Sequence, residues 1–273
     1  MFDITNIPSI CSTRLRSDVS GYETDTAIIN VEYNTRYELC SCFMRIQEFY
    51  ESDIPVIRGN YFTLDQYMDE YAKKNGGFSY TMDWSGFNIP SRAYRGFIAV
   101  FPEYNMLPKE RTLIVSIRQE LRRIGLDENA TFYIIGSYKE CPRQASVIQH
   151  EIAHAMYALD NEYRAYADIV GTSIPQRDEI VKVLKEWGYA DSVIDDEVQA
   201  YVGTNSSRDW TSFPKVDTKN KAFKDLKKGL YGMLKSMCEE YGIWFPTPHT
   251  VKKTKELERE YKKKYGYNSG EMI

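Results

Sequence analysis

Three histidines occur in 273 residues, and two of them stand four apart in His150-Glu151-Ile152-Ala153-His154. On a helix, positions i and i+4 share a face, so both imidazoles would point to one place. The segment from Ala145 to Leu159 holds no Gly or Pro, and Ile148, Ile152, Ala155 and Leu159 make an apolar stripe at helical spacing. A helix so faced is largely buried. Two buried imidazoles need partners, and a zinc ion supplies one for each. The plainer alternative is two core histidines hydrogen-bonded to neighbours. Glu151 is rotated about 100° from His150 around such a helix. It can therefore take a proton from a water at the metal without ligating the metal itself.

A hydrolytic zinc site holds three protein ligands and leaves one position for water. Four residues are candidates for the third ligand. Asp160 has the spacing of a ligand that follows a turn, but Tyr157 stands where that turn needs a Gly. Glu162 follows the helix too soon unless the chain turns sharply. His249 sits in a Pro-rich joint, Phe245-Pro246-Thr247-Pro248-His249. Glu197 has the strongest case. Ile194, Val198 and Tyr201 flank it at helical spacing, and a carboxylate on an apolar face is costly to bury unless it meets a cation.

With these residues the sequence resembles the gluzincin class of zinc metallopeptidases. There, a helix with the His-Glu-x-x-His pattern supplies two ligands and the catalytic Glu, and a Glu on a later helix supplies the third ligand. Glu197-Val198-Gln199-Ala200-Tyr201 matches that later helix in its Glu and in the small residue three positions on. It departs at Tyr201, where many members carry an Asp that holds a ligand His; Asp160, Asp168 or Asp196 would have to replace it. The resemblance spans about residues 131–203. The whole-chain layout is also similar to uncharacterised metallopeptidase-like proteins. The resemblance implies metal ligands His150, His154 and Glu197, a Zn2+ cofactor, Glu151 as general base, and a peptide or protein substrate. The strand at 131–136 would form the edge of the substrate cleft, where a peptide adds by main-chain pairing. Tyr201, His249 and Arg208 are candidates to face the oxyanion. The aromatic stretch Asp83-Trp84-Ser85-Gly86-Phe87-Asn88 is a candidate wall or lid, or a structural plug.

Composition sets bounds on these readings. Hydrophobic content of 42% and charged content of 27% are those of a soluble globular chain. The formal charge of −4 argues against a nucleic-acid binder, although residues 205–273 are basic, with 15 Lys and Arg against 9 Asp and Glu. No segment approaches the ~18 consecutive apolar residues of a membrane span. The first residues lack the basic start and apolar run of a secretory signal. Five cysteines without a C-x-x-C pair read as reduced thiols, hence a cytoplasmic setting.

Elements to position the site follow from local patterns. TAIINVE (26–32), FIAVF (97–101) and TFYIIG (131–136) read as strands. Thr35 with Glu38 and Thr63 with Gln66 are capping boxes, opening helices to about Tyr50 and to Gly76. Pro108 starts a helix running to Gly125. Residues 77–91 read as an irregular packed stretch. The second half reads as successive helices, the last two at about 218–241 and 250–265. The expected fold is α+β: a zincin-like core, with a small mixed sheet packed on the His-bearing helix, and a mainly helical C-terminal part. Residues 1–125 would be an α/β region of unassigned role, packed on the core. Residues 126–273 would be the catalytic region with a basic helical end. The expected function is zinc-dependent peptide hydrolysis. The alternatives are an inactive zincin-like binding protein, or a nucleic-acid or partner-binding module using the basic region 215–264; strongly salt-dependent DNA or RNA binding would mark the last of these.

Overall fold

The computed structural model describes residues 8–15, 26–187, 189–205 and 209–266. Its centre is one four-stranded mixed sheet in the order β1-β2-β4-β3. These strands are β1 (Ser9–Leu15), β2 (Thr26–Tyr33), β3 (Phe87–Pro90) and β4 (Thr131–Tyr138). β1 runs antiparallel to β2, β2 parallel to β4, and β3 antiparallel to β4. Three strands come from residues before 125 and one from after it, so the sequence division at 125 runs through a single sheet.

Helices cover both faces. On one side lie α1 (Arg36–Glu51), α2 (Leu64–Asn75), the single turn α3 (Tyr80–Asp83), α4 (Ser91–Val100) and α5 (Pro108–Arg123). They pack with Ile29, Val31, Phe132 and Ile134 in one core. On the other side lie α6 (Gln144–Leu159), α7 (Asn161–Thr172), α8 (Arg177–Glu186), α9 (Ile194–Thr204) and α10 (Lys221–Glu240). They pack with Ile28, Tyr133 and Ile135 in a second core. The alternation along β2 and β4 assigns neighbouring residues to opposite cores, as the pleat requires. The last helix, α11 (Val251–Tyr265), docks through Tyr261, whose ring centroid lies 6.5 Å from that of Tyr138. Its Lys264 pairs with Glu140 at 2.7 Å.

The helix starts follow their caps. Thr35 and Glu38, then Thr63 and Gln66, make reciprocal capping boxes, and α2 ends on Gly76 at φ +77°, a left-handed turn that suits Gly. A buried ion pair fastens α1 to α5. Arg45 meets Glu110 through Nε–Oε1 at 2.7 Å and Nη2–Oε2 at 2.5 Å, and its remaining N–H groups donate to the carbonyls of Phe62 and Asn105. The two charges are thus paired and hydrogen-bonded, the condition for burying them.

Three expectations are corrected. FIAVF (97–101) is not a strand: residues 97–100 close α4. The buried residues Ala93, Tyr94, Phe97 and Phe101 recur at helical spacing, whereas Arg92 and Ala99 are exposed. Residues 77–91 are not irregular throughout, since they hold α3 and β3. TFYIIG is not an edge strand, because β4 is paired on both sides and the edges are β1 and β3. An uninterrupted apolar run marks a strand with both faces covered, and such a strand belongs in the sheet interior. β1, in contrast, carries no clear alternation and gave no sequence signal. All five cysteines are free thiols, four of them buried. Among the described residues no helix is long and apolar enough to cross a membrane.

Candidate metal centre

α6 lies against β4 and α9, and it presents His150 and His154 on the side facing α9. Ile148, Ile152 and Ala155 fill the core beneath them. α9 supplies Glu197 from its first turn. His150, His154 and Glu197 each offer one ligand atom, and these atoms lie within 4.8 Å of one another. The two histidine Nε2 atoms stand 3.1 Å apart. Glu197 Oε1 is 3.7 Å from His154 Nε2, and Oε2 is 3.9 Å from His150 Nε2. All three residues are buried, with exposures of 1%, 2% and 6%.

The ring orientations have visible causes. His154 Nδ1 meets Asp196 Oδ1 at 2.8 Å. A carboxylate there accepts a hydrogen bond from Nδ1–H and so directs Nε2 inward. On His150, Nδ1 meets Thr204 Oγ1 at 3.4 Å. Thr204 already donates its hydroxyl proton to the Ala200 carbonyl at 2.7 Å, so its oxygen acts as acceptor toward His150. Without metal, a protonated His154 can donate from Nε2 to the His150 Nε2 lone pair across 3.1 Å; with a metal bound, both Nε2 atoms would turn lone pairs to it. Two inward lone pairs at 3.1 Å repel unless a cation or proton lies between them, and Glu197 Oε2 is buried without a hydrogen-bond partner. Tetrahedral bonds of about 2.0–2.1 Å set ligand atoms roughly 3.3 Å apart, close to the nitrogen separation here. The donor set could therefore hold a metal ion.

Burial sets the electrostatics. It pushes the Glu197 carboxyl well above the usual carboxylate range. It holds His150 well below the usual imidazole value, and the neighbouring His154 adds to that. Burial alone would also lower His154, but the Asp196 and Glu197 carboxylates reverse the effect and hold it well above.

Glu151 projects from the same helix toward β3. It is 2% exposed, and burial pushes its carboxyl up to about 7, opposed by His154 and by a hydrogen bond from Asn88. That bond, Asn88 Nδ2 to Glu151 Oε2, is 3.1 Å. Asn88 Oδ1 in turn accepts from the Tyr133 hydroxyl at 2.8 Å, so a side-chain chain runs from β4 through β3 to α6. Gly86 lets the β3 approach come this close: a Cβ there would stand 2.4 Å from Glu151 Oε1 and 2.6 Å from Val147 Cγ1. Gly86 and Asn88 give the 83–88 stretch its contact with the site, while the aromatic residues Trp84 and Phe87 pack into the neighbouring core.

The other candidates lie elsewhere. Asp160 caps α7 by accepting from Tyr163 N at 2.8 Å, and its second oxygen accepts from Tyr241. Glu162 and His249 are exposed. Asp168 accepts from the Tyr157 hydroxyl, so Asp196 is the acidic residue behind His154. Tyr201 stands with its ring 4.7 Å from that of His150 and its hydroxyl 3.3 Å from the Tyr189 hydroxyl. Trp187 and Phe213 pack around it. Arg208 lies outside the described residues. Asp196 was one of three open choices in the sequence, whereas Thr204 and Glu51 gave no signal; a bare Thr or Glu at a helix end has none to give. Glu51, at the end of α1, feels the charges of His154, Asp196 and Glu151. No family model, curated protein or solved structure matches the chain.

Proposed function

We propose that the chain is a zinc-dependent metallopeptidase with a zincin-like core. The observation that carries the reading is the convergence of His150, His154 and Glu197 on one buried point, with the Glu151 carboxylate beside it. A divalent metal held by these three residues would act as a Lewis acid on the scissile carbonyl and lower the pKa of a water. Glu151 accepts the proton of the attacking water on a carboxylate oxygen and returns it to the departing amine. Asn88 holds Oε2 by its hydrogen bond, which orients the carboxylate and leaves Oε1 for that proton. β3 stands at the sheet edge beside Glu151, where an extended peptide would pair with its outer main-chain groups. Free thiols suit a reducing compartment such as the cytoplasm.

Digestion of a peptide library by the full chain tests this reading. Cleavage should stop on treatment with a strong chelator and return on addition of zinc. A chain that stays inactive with a full complement of zinc sinks it. That outcome would favour the second reading, a metal-holding site that binds without hydrolysing. The near-complete burial of all four residues gives that reading its support.

The close approach of β3 gives a sharper prediction. Gly86→Ala forces Glu151, Val147 or β3 to move by several tenths of an ångström or more, and none of these is a candidate ligand. Metal content should remain, and turnover should fall about tenfold or more, since displacements near 1 Å can cost 10²-fold. Wild-type turnover in this variant would show that Glu151 need not hold its present position.

A further inference from the structure

A second concave feature adjoins the centre. Between α1 and the chain that links α8 to α9 lies a cleft of about 150 Å³, lined by Gln47, Glu51, Trp84, Trp187 and Tyr189 among others. One of its lining residues, Tyr189, has its hydroxyl 3.3 Å from that of Tyr201, whose ring packs on His150, so one layer of side chains separates the cleft from the candidate metal centre. Its polar inner surface is rich in acceptors. Gln47 is 4% exposed, and it donates through Nε2 to Glu51 Oε2 at 2.6 Å. Its own Oε1 is buried and accepts nothing. Among the described residues no Lys or Arg hydrogen-bonds to Glu51, and desolvation pushes its carboxyl up to about 8, opposed by the charge of His154. Lys74, the nearest lysine on the lining, is committed to Asp53 at the outer rim. Arg58 also lies at the exposed margin.

We infer that this cleft binds a positively charged group of the substrate, an ammonium or guanidinium, between Glu51 and Gln47 with the indoles of Trp84 and Trp187 as walls. The half-buried Glu51 carboxylate accepts hydrogen bonds from such a group. Aromatic faces attract it further. The volume admits one long side chain or a chain terminus, and no folded partner. The inference rests on the peptidase reading, because it takes the charged group to belong to a peptide substrate. Two sources carry the same chemistry: a Lys or Arg side chain, and a free N-terminus.

Binding can be measured apart from turnover. The protein is the full zinc-loaded chain carrying Glu151→Gln to prevent cleavage, and the signal is fluorescence of the cleft tryptophans. The probes are three pentapeptide amides: acetyl-Ala-Ala-Lys-Ala-Ala, acetyl-Ala-Ala-norleucine-Ala-Ala, and the norleucine peptide with a free N-terminus. The lysine peptide, the free-amino peptide or both should bind about tenfold more tightly than the acetylated norleucine peptide. Which of them does so identifies the source. Glu51→Gln, which keeps the side-chain shape, should erase the difference and leave the affinity for the neutral peptide within about twofold. Equal binding of all three, a preference that survives Glu51→Gln, or no binding of any peptide overturns the inference. A cation preference of the expected size in a chain that never hydrolyses peptides would sink the peptidase reading and leave the cleft as assigned.

Discussion

Glu151→Gln should retain bound zinc at the wild-type level and lose peptide hydrolysis by about 10²–10⁴-fold, the usual worth of a positioned general base. Glutamine has nearly the size and shape of the side chain it replaces. Its amide oxygen still accepts from Asn88, and it adds no methyl to the tight contact with Gly86. What it cannot do is take a proton. The two readouts separate chemistry from assembly. Turnover near wild type would remove Glu151 as the base. Loss of metal together with activity would mean that Glu151 belongs to the ligand set, although it is not among the three residues whose ligand atoms converge.

Glu197→Ala has the second large effect, this time on metal. The variant should fall from close to one zinc per chain to near none after dialysis against a buffer that leaves the wild type loaded. It should also lose the zinc-dependent rise in Tm that follows from binding to the native state alone. His150→Ala and His154→Ala should behave alike. Asp196→Ala is the graded comparison. Asp196 only orients His154, so its loss should weaken binding by about 10–100-fold without abolishing it. Unchanged metal in Glu197→Ala would sink the third-ligand assignment. Removal of metal by His249→Ala, whose side chain is exposed and remote from the group, would show that the ligand set is wrong altogether.

What the sequence disclosed about this site follows from the range of each signal. His150, Glu151 and His154 lie within one and a half turns of one helix, so spacing alone brings them together. Glu197 was legible because an acidic residue on an apolar face states a need for a cation, even with the partner unknown. The contact of Asn88 with Glu151 crosses 63 residues, and that of Thr204 with His150 crosses 54; no local pattern encodes either pairing. The same limit governed the strands. TFYIIG was correctly a strand, but its position in the sheet depends on β3, a four-residue element hidden in an aromatic stretch. FIAVF failed for another reason. Five consecutive apolar residues fit either period, and only the upstream pair Ala93 and Tyr94 shows that the buried stripe is helical.

The parallel pairing of β2 with β4 has a consequence for how the protein is made. Residues 26–33 lie beside residues 131–138, so β2 gains this neighbour only after the intervening chain has been synthesised. The pairing is long-range, which slows folding because loop closure precedes its reward. α9 comes later still, and with it Glu197. A nascent chain halted before α9 carries both histidines and no third ligand. Completion of the candidate metal set therefore waits for α9, and of the helices on that face only α10 remains to be added to the core.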